Sequence, residues 1–345
     1  MARLIPIDGS KGEGGGQILR TALALSAVTG QGFEMTRIRS RRMRPGLRPQ
    51  HLVALRAAGM ACGARVGGAF EGSPDVRFEP GPLTSGRFRF EIATAGAVTL
   101  VLQTVLPPLA LAGASSRVEV TGGTHVPASP SLHYLANHWA AALNDLGLAV
   151  RATLVRAGFY PAGGGEAHAQ VDAWAAPRAL SLETRGRLVA VRGTSGAGRL
   201  KGDVARRQRD AAQARLWEER RLEASWEVLD VPAASPGSFL LLEAIFEGSR
   251  AAFSFLGERG LRAELLGDRA GRRVLRFLDE EGAVDPHLAD QLAVPMAVGR
   301  RGGRVTTSEV TRHLETVAEV LALFGVPART WGRLGGPGGL EVDRC

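Results

Sequence analysis

Four stretches of this chain share one order: an apolar run at helical spacing, a glycine that stops it, and a short strand-like segment after the stop. "ILRTALALSAVTGQGFEMTRIRS" has Gly30 at the C′ position of a helix and "FEMTRIR" as the strand. "HLVALRAAGMACGARVGG", "AVTLVLQTVLPPLALAGASSRVEVTGG" and "SLHYLANHWAAALNDLGLAVRATLV" repeat the order without repeating the letters. A helix with one apolar stripe and a strand with one apolar face must bury these against each other. The rhythm therefore predicts duplicated β/α units whose sheets are each covered on one face by a helix pair.

Near Arg185 the style changes. "DVARRQRDAAQARLWEERRLEA" is a charged amphipathic helix, "SFLLLEAIFEG" and "RAAFSFLGERG" read as strands, and "RAELLGDRAGRRVLRFLDEEG" is a second helix. From "DPHLADQLAVPMAVG" the earlier order resumes. A main domain of residues 1–185 and 280–345 interrupted by a smaller α/β domain of residues 186–279 is expected. The 345 residues suffice for more than one core.

Charge narrows the partners. Lys+Arg of 43 against Asp+Glu of 34 gives a formal +9, which suits a polyanion such as nucleic acid. Lys11 and Lys201 are the only lysines, a bias toward arginine that either phosphate recognition or coding bias produces. Cys62 and Cys345 are too few for a disulfide framework or a cysteine zinc site, so a reducing compartment is expected. "MARLIPIDGS" lacks the order of a signal peptide and no apolar run of about 18 residues exists, so a soluble cytoplasmic protein is expected.

Three segments could carry chemistry. "DGSKGEGGGQILR" runs a glycine-rich turn into a helix, which is either a phosphate cradle or a tight turn; it fits neither the Walker nor the dinucleotide template. A carboxylate among glycines, Glu13, could hold a divalent metal whose other ligands are phosphate oxygens. "RIRSRRMRPGLRPQHL" places arginines at 37, 39, 41, 42, 44 and 48 and His51 just inside a helix. On a strand, Arg37, Arg39 and Arg41 would share one face and present parallel guanidinium forks; the alternative is a solvated basic loop. His313 precedes an apolar helix, where a histidine caps, sits on the surface or reacts. His125, His133 and His138 lack the spacing of a zinc helix.

Taken together, these segments resemble the RNA 3′-terminal phosphate cyclase family. The likeness runs in order through "DGSKGEGGGQILRTALALS", Arg39, Arg42 and "PGLRPQHL", "TLVLQTVLPPL", "VEVTGGTHVP", "GFYPAGGGE", "DPHLADQL" and the region of His313, nearly the whole chain. It implies an α/β (α+β) fold: a large domain of repeated units, each a four-stranded sheet backed by two helices, plus a small inserted α/β domain. It also implies ATP-dependent conversion of an RNA 3′-phosphate to a 2′,3′-cyclic phosphate, through a histidine–AMP intermediate and an RNA-adenylate, with release of pyrophosphate and AMP.

Carried over residue by residue, His313 is the nucleophile and Glu13 holds the divalent metal, Mg2+ or Mn2+. Gln103, Pro130 and the run His287, Leu288, Ala289, Asp290 and Gln291 line the ATP site. Arg20, Arg39, Arg42 and His51 neutralise triphosphate charge and receive the RNA end. Phe253 and Phe255 are both candidates for the aromatic that approaches adenine.

Two positions depart from the family pattern: His287 stands where tyrosine is frequent, and His125 follows "GGT" where an acid is expected. Two other classes share such a fold: RNA-processing or ribosome-assembly factors that lack the nucleophilic histidine, and enolpyruvyl-type transferases. His313 argues against the first, and the ordered arginine and "PGLRPQHL" segments argue against the second.

Overall fold

The computed structural model describes residues 3–344; Cys345 lies outside the described residues. The first unit comprises β1 (Ile5–Asp8), α1 (Gln17–Thr29), β2 (Phe33–Thr36), α2 (Pro49–Cys62), β3 (Arg65–Gly67) and β4 (Val76–Glu79). Its sheet runs β1-β2-β4-β3, with β1 and β2 parallel and the other neighbours antiparallel. The glycine stop behaves as read: Gly30 takes φ 73° and donates its N–H to Ser26 O at 3.0 Å.

The second unit repeats this topology. It contains β5 (Arg87–Glu91), α3 (Val98–Ala110), β6 (Ser116–Gly122), a π-helical stretch Tyr134–Trp139 running into α4 (Ala140–Asp145), β7 (Val150–Arg156) and β8 (Gly165–Val171). The sheet order is β5-β6-β8-β7. In β6, Ser116, Val118 and Val120 turn inward while Arg117 and Glu119 face solvent, the alternation of a sheet covered on one face.

β9 (Leu180–Leu182) opens a third unit that is then interrupted. Between β9 and the rest of its sheet lie β10 (Leu188–Gly198), α5 (Val204–Arg220), β11 (Ala224–Asp230), β12 (Gly237–Phe246), β13 (Arg250–Leu256) and α6 (Ala263–Asp279). These form a fourth sheet of different order, β11-β10-β12-β13, with a hydrophobic core of its own against α5 and α6. α7 (Pro286–Val298), β14 (Gly303–Thr307), α8 (Arg312–Leu323), β15 (Ala328–Gly332) and β16 (Gly338–Val342) then complete the third sheet, β15-β16-β14-β9. The fold is mixed α/β, four four-stranded sheets with their helices.

One contiguous core joins the three like units. α1, α3 and α7, the first helix of each, pack on one another, and α8 packs on α1 and α7. No helix among the described residues is long and apolar enough to cross a membrane. Cys62 is a buried free thiol whose Sγ donates to Ala58 O.

The strand expected to carry Arg37, Arg39 and Arg41 ends at Thr36. Arg37 and Arg39 adopt φ of 55° and 52°, the left-handed region, which breaks the period-two alternation. Their guanidiniums go separate ways. Arg37 reaches back to Asp8 Oδ2 at 2.5 Å, and Arg39 Nη1 donates to Arg44 O at 2.7 Å and Gly46 O at 3.1 Å. The parallel-fork arrangement is therefore replaced by a loop.

Candidate active site

Where α1, α3, α7, α8 and the fourth sheet meet, they line a cavity of about 560 Å³, within the range of small-molecule and cofactor sites. Arg20, Gln103, Pro130, His287, Asp290, Gln291 and His313 line it, as do both Phe253 and Phe255. Residues as far apart in sequence as Arg20 and His313 thus share one wall.

α7 shows why a contiguous run divides. His287, Asp290, Gln291 and Val294 lie on the cavity side, at the i, i+3, i+4, i+7 spacing of one helical face. Leu288 and Ala289 point the other way, into the core at 0% exposure, and do not line the cavity. Gln291 is fixed by Gln103, whose Nε2 donates to its Oε1 at 2.6 Å. Gln17 Nε2 donates to Asp290 Oδ1 at 3.4 Å. Burial pushes the Asp290 carboxyl up, against the nearby His287 and His313.

The glycine-rich loop docks onto the helix that carries His313. Glu13 N donates to Thr316 Oγ1 at 3.2 Å, and Thr316 is one turn along α8 from His313. A Cβ on Gly12, which has φ +53°, would lie 2.1 Å from Thr316 Oγ1, so only glycine permits this approach. Glu13 lies between two groups: its Oε1 pairs with Arg42 Nη2, and its Oε2 is 3.9 Å from His313 Nδ1. That Nδ1 is buried and makes no hydrogen bond. The His313 pKa is lowered, first by burial, with Asp290 opposing and Arg20, His287 and Arg42 adding to the fall.

Gly16 is equally confined, since a Cβ there would lie 2.4 Å from His51 Nε2 and 2.7 Å from Arg20 Nη1. Arg20 and His51 therefore underlie the loop. Desolvation lowers the Arg20 pKa to about 10, which leaves it charged at neutral pH. His51 is different: burial, then the charges of Arg20, Arg39 and Arg48, push it down to about 3. Its Nδ1 accepts a hydrogen bond from Arg48 N at 3.0 Å. It is a neutral donor through Nε2–H and adds no positive charge.

Three contributors went unread in the sequence. Gln17 and Arg273 line the cavity, and Arg273 lies 4.2 Å from the Phe253 ring centroid as a cation–π pair. Asp285, fully buried, caps α7 by accepting from His287 N and Leu288 N. It also accepts from Tyr134 Oη at 3.0 Å and Ala252 N at 3.2 Å, and lies 2.9 Å from His138 Nε2. Its signal was the Asp-Pro pair, an N-cap followed by proline at N1. His125 is no site residue here: its Nδ1 meets Thr124 Oγ1, its Nε2 meets His133 Nδ1, and the ring stacks on Phe239.

The family model described as RNA 3′-terminal phosphate cyclase matches residues 11–327. The chain belongs to the RNA 3′-terminal phosphate cyclase family. A Salmonella typhimurium protein named RNA 3′-terminal phosphate cyclase is 41% identical over 329 residues, 95% of each chain. One of the same name from Ralstonia nicotianae is 44% identical over 324 residues, 94% of this chain and 92% of its own. A third, from Methylococcus capsulatus, is 41% identical over 331 residues, 94% and 91% of the two chains. α7 and His313 line one cavity, whereas Glu13, Arg39, Arg42 and His51 do not line it, and the glycine-rich loop meets the site through its contact with α8.

Proposed function

We propose that this chain converts an RNA 3′-terminal phosphate to a 2′,3′-cyclic phosphate at the expense of ATP, in the cytoplasm. In the first step His313 Nε2 attacks the α-phosphorus of ATP, a P–N bond forms, and the bond to pyrophosphate breaks. A 3′-phosphate oxygen of RNA then attacks the same phosphorus and frees the imidazole, giving an RNA-adenylate. Finally the neighbouring 2′-hydroxyl loses its proton and attacks the 3′-phosphorus, closing the ring and releasing AMP. Adenylation turns a poor oxyanion leaving group into AMP.

The observation that most supports this reading is the placement of His313. Its ring lines the cavity while Nδ1 is buried 3.9 Å from the Glu13 carboxylate. A proton on Nδ1 leaves the Nε2 lone pair free for attack, and the depressed pKa keeps the ring neutral near pH 7. Arg20 offsets the charge developing at phosphorus, from beneath the loop. Gln103, Asp290 and Gln291 supply polar contacts, with Pro130 and either Phe253 or Phe255 against the base.

No cluster of three metal-ligating side chains exists among the described residues. One carboxylate completed by phosphate oxygens is nonetheless an ordinary Mg2+ arrangement, and Glu13 fits it once Arg42 lets go. Bound there, Mg2+ or Mn2+ would draw charge from the leaving pyrophosphate. Arg42, released, and Arg39 would then face the RNA phosphate, with His51 as a neutral donor. The fourth sheet fits the role of a small inserted domain, residues 186–279, which closes the pocket of a main domain of residues 1–185 and 280–345.

Incubation with α-labelled ATP and Mg2+ tests this. An acid-labile, alkali-stable protein adduct is expected in the parent and none in folded His313→Ala. A parent without an adduct would overturn the enzyme reading in favour of an RNA-binding factor.

A further inference from the structure

Two loops outside the cavity are built as one rigid surface. Ile38 N donates to Pro74 O, Gly46 N to Ile38 O, Leu47 N to Ser73 O and Gly72 N to Leu47 O, all between 2.8 and 3.0 Å. Ile38 and Leu47 are buried at 2% and 0%, so the segment between them is pinned at both ends to the β3–β4 turn. Arg48 pairs with Glu71 across the same seam at 3.0 Å. What this frame displays is unusual. Met43 is 97% exposed and Phe70 is 61% exposed, one on each loop, beside Arg41 and Arg44. Among the described residues neither of those two arginine side chains has a hydrogen-bond or ion-pair partner, although the loop's other guanidiniums do.

Arg42 links this surface to the reaction centre. Its Nη2 pairs with Glu13 Oε1, and Glu13 Oε2 is 3.9 Å from His313 Nδ1. Unpaired guanidiniums interleaved with exposed apolar side chains match the two needs of a single strand, phosphate neutralisation and base stacking. A protein partner would want an extended apolar patch, which two apolar side chains among cations, one on each loop, do not provide.

We propose that the loop 38–47 and the turn 68–75 form the docking platform for the single-stranded 3′ segment of RNA. Arg41 and Arg44 hold backbone phosphates, Met43 and Phe70 carry the bases just upstream of the terminal nucleotide, and the strand leads past Arg42 to His313. This rests on the function proposed above and adds the residues that grip the polymer rather than its end.

Fluorescence anisotropy with a labelled 3′-phosphorylated oligoribonucleotide reads the platform without requiring turnover. Phe70→Ala with Met43→Ala should weaken binding about five- to tenfold, while self-adenylation with ATP alone stays at the parent rate. An oligonucleotide abasic at the two positions before the last should lose the same factor on the parent and little more on the double variant. Arg41→Ala and Arg44→Ala should each lower the slope of log affinity against log salt by about 0.7. Unchanged affinity in the double variant, or abasic and variant losses that multiply, would overturn the platform even if cyclisation is observed. Failure of the parent to form an adduct strikes the proposed reaction and leaves the anisotropy result to decide the platform.

Discussion

Lowering the pH from 8 to 5 should destabilise this protein through His51 in particular. The ring is 3% exposed, its Nδ1 lone pair accepts from Arg48 N, and Arg20, Arg39 and Arg48 stand around it. Protonation would break the cap of α2 and place a fourth cation among three. The folded pKa is therefore about 3 against an unfolded value of 6.5. Above pH 6.5 both states are neutral and the group contributes its full stability. As pH falls below 6.5 the unfolded chain binds a proton that the folded chain refuses, and stability declines until the folded pKa is reached. pH 5 lies about 1.5 pH units below the unfolded pKa, which costs about 2 kcal/mol, growing to about 4 kcal/mol near pH 3.5. Urea unfolding at pH 8 and pH 5 should show the parent losing about 2 kcal/mol more than His51→Asn, which does not titrate. The buried pair His125 and His133, also depressed, is common to both proteins and cancels. Equal losses would mean that His51 charges freely in the folded state, and would refute the buried, neutral assignment.

Asp285→Ala strands the hydroxyl of Tyr134, His138 Nε2 and three backbone N–H groups in the interior. A loss of about 3–5 kcal/mol is expected in denaturant melts, with Asp285→Asn intermediate because its amide oxygen can still cap α7. Glu13→Ala should slow adduct formation at least tenfold, and a titration with excess Mg2+ should recover part of the rate; no change would remove Glu13 from the metal role. The proposed self-adenylation needs a neutral imidazole, and the His313 pKa is lowered. Its rate should therefore stay flat as pH falls through 6.5 and drop only in more acid solution, whereas a drop centred at or above 6.5 would place His313 in open solvent.

The units and their helix pairs were legible because hydrophobic period and glycine stops act locally. Gly30 ends α1 for the same reason that it reads as an end in the letters. The arginine segment departs from the strand reading at a point where letters are silent, since Arg37 and Arg39 take positive φ where the chain enters a loop held by hydrogen bonds to the turn at 70–74. Leu288 and Ala289 came along with "HLADQ" as neighbours in sequence, although helical spacing alone separates them from His287, Asp290 and Gln291. Arg273 had no local signal at all. It lies on a charged helix and becomes a cavity residue only when α6 packs beside β13.

The position of the cavity follows from the repetition itself. Three units of one topology bring together their first helices, α1, α3 and α7, and polar residues on those faces meet across the seams, Gln17 with Asp290 and Gln103 with Gln291. Gln103 and Gln291 show this most plainly: each is the sixth residue of its helix, counted from Val98 and Pro286, and they hydrogen-bond to each other. A symmetric meeting of helices can bind a ligand, but it offers no reason for His313, the proposed nucleophile, to stand on one side only. That asymmetry comes from α8, the second helix of the third unit, whose first turn receives the glycine-rich loop of the first. Gly12 is the hinge of the arrangement, because the space its missing Cβ leaves is occupied by Thr316 of that helix. The loop thus acts less as a phosphate cradle of its own than as the contact that sets Glu13 beside His313, and a Walker lysine has no place in it.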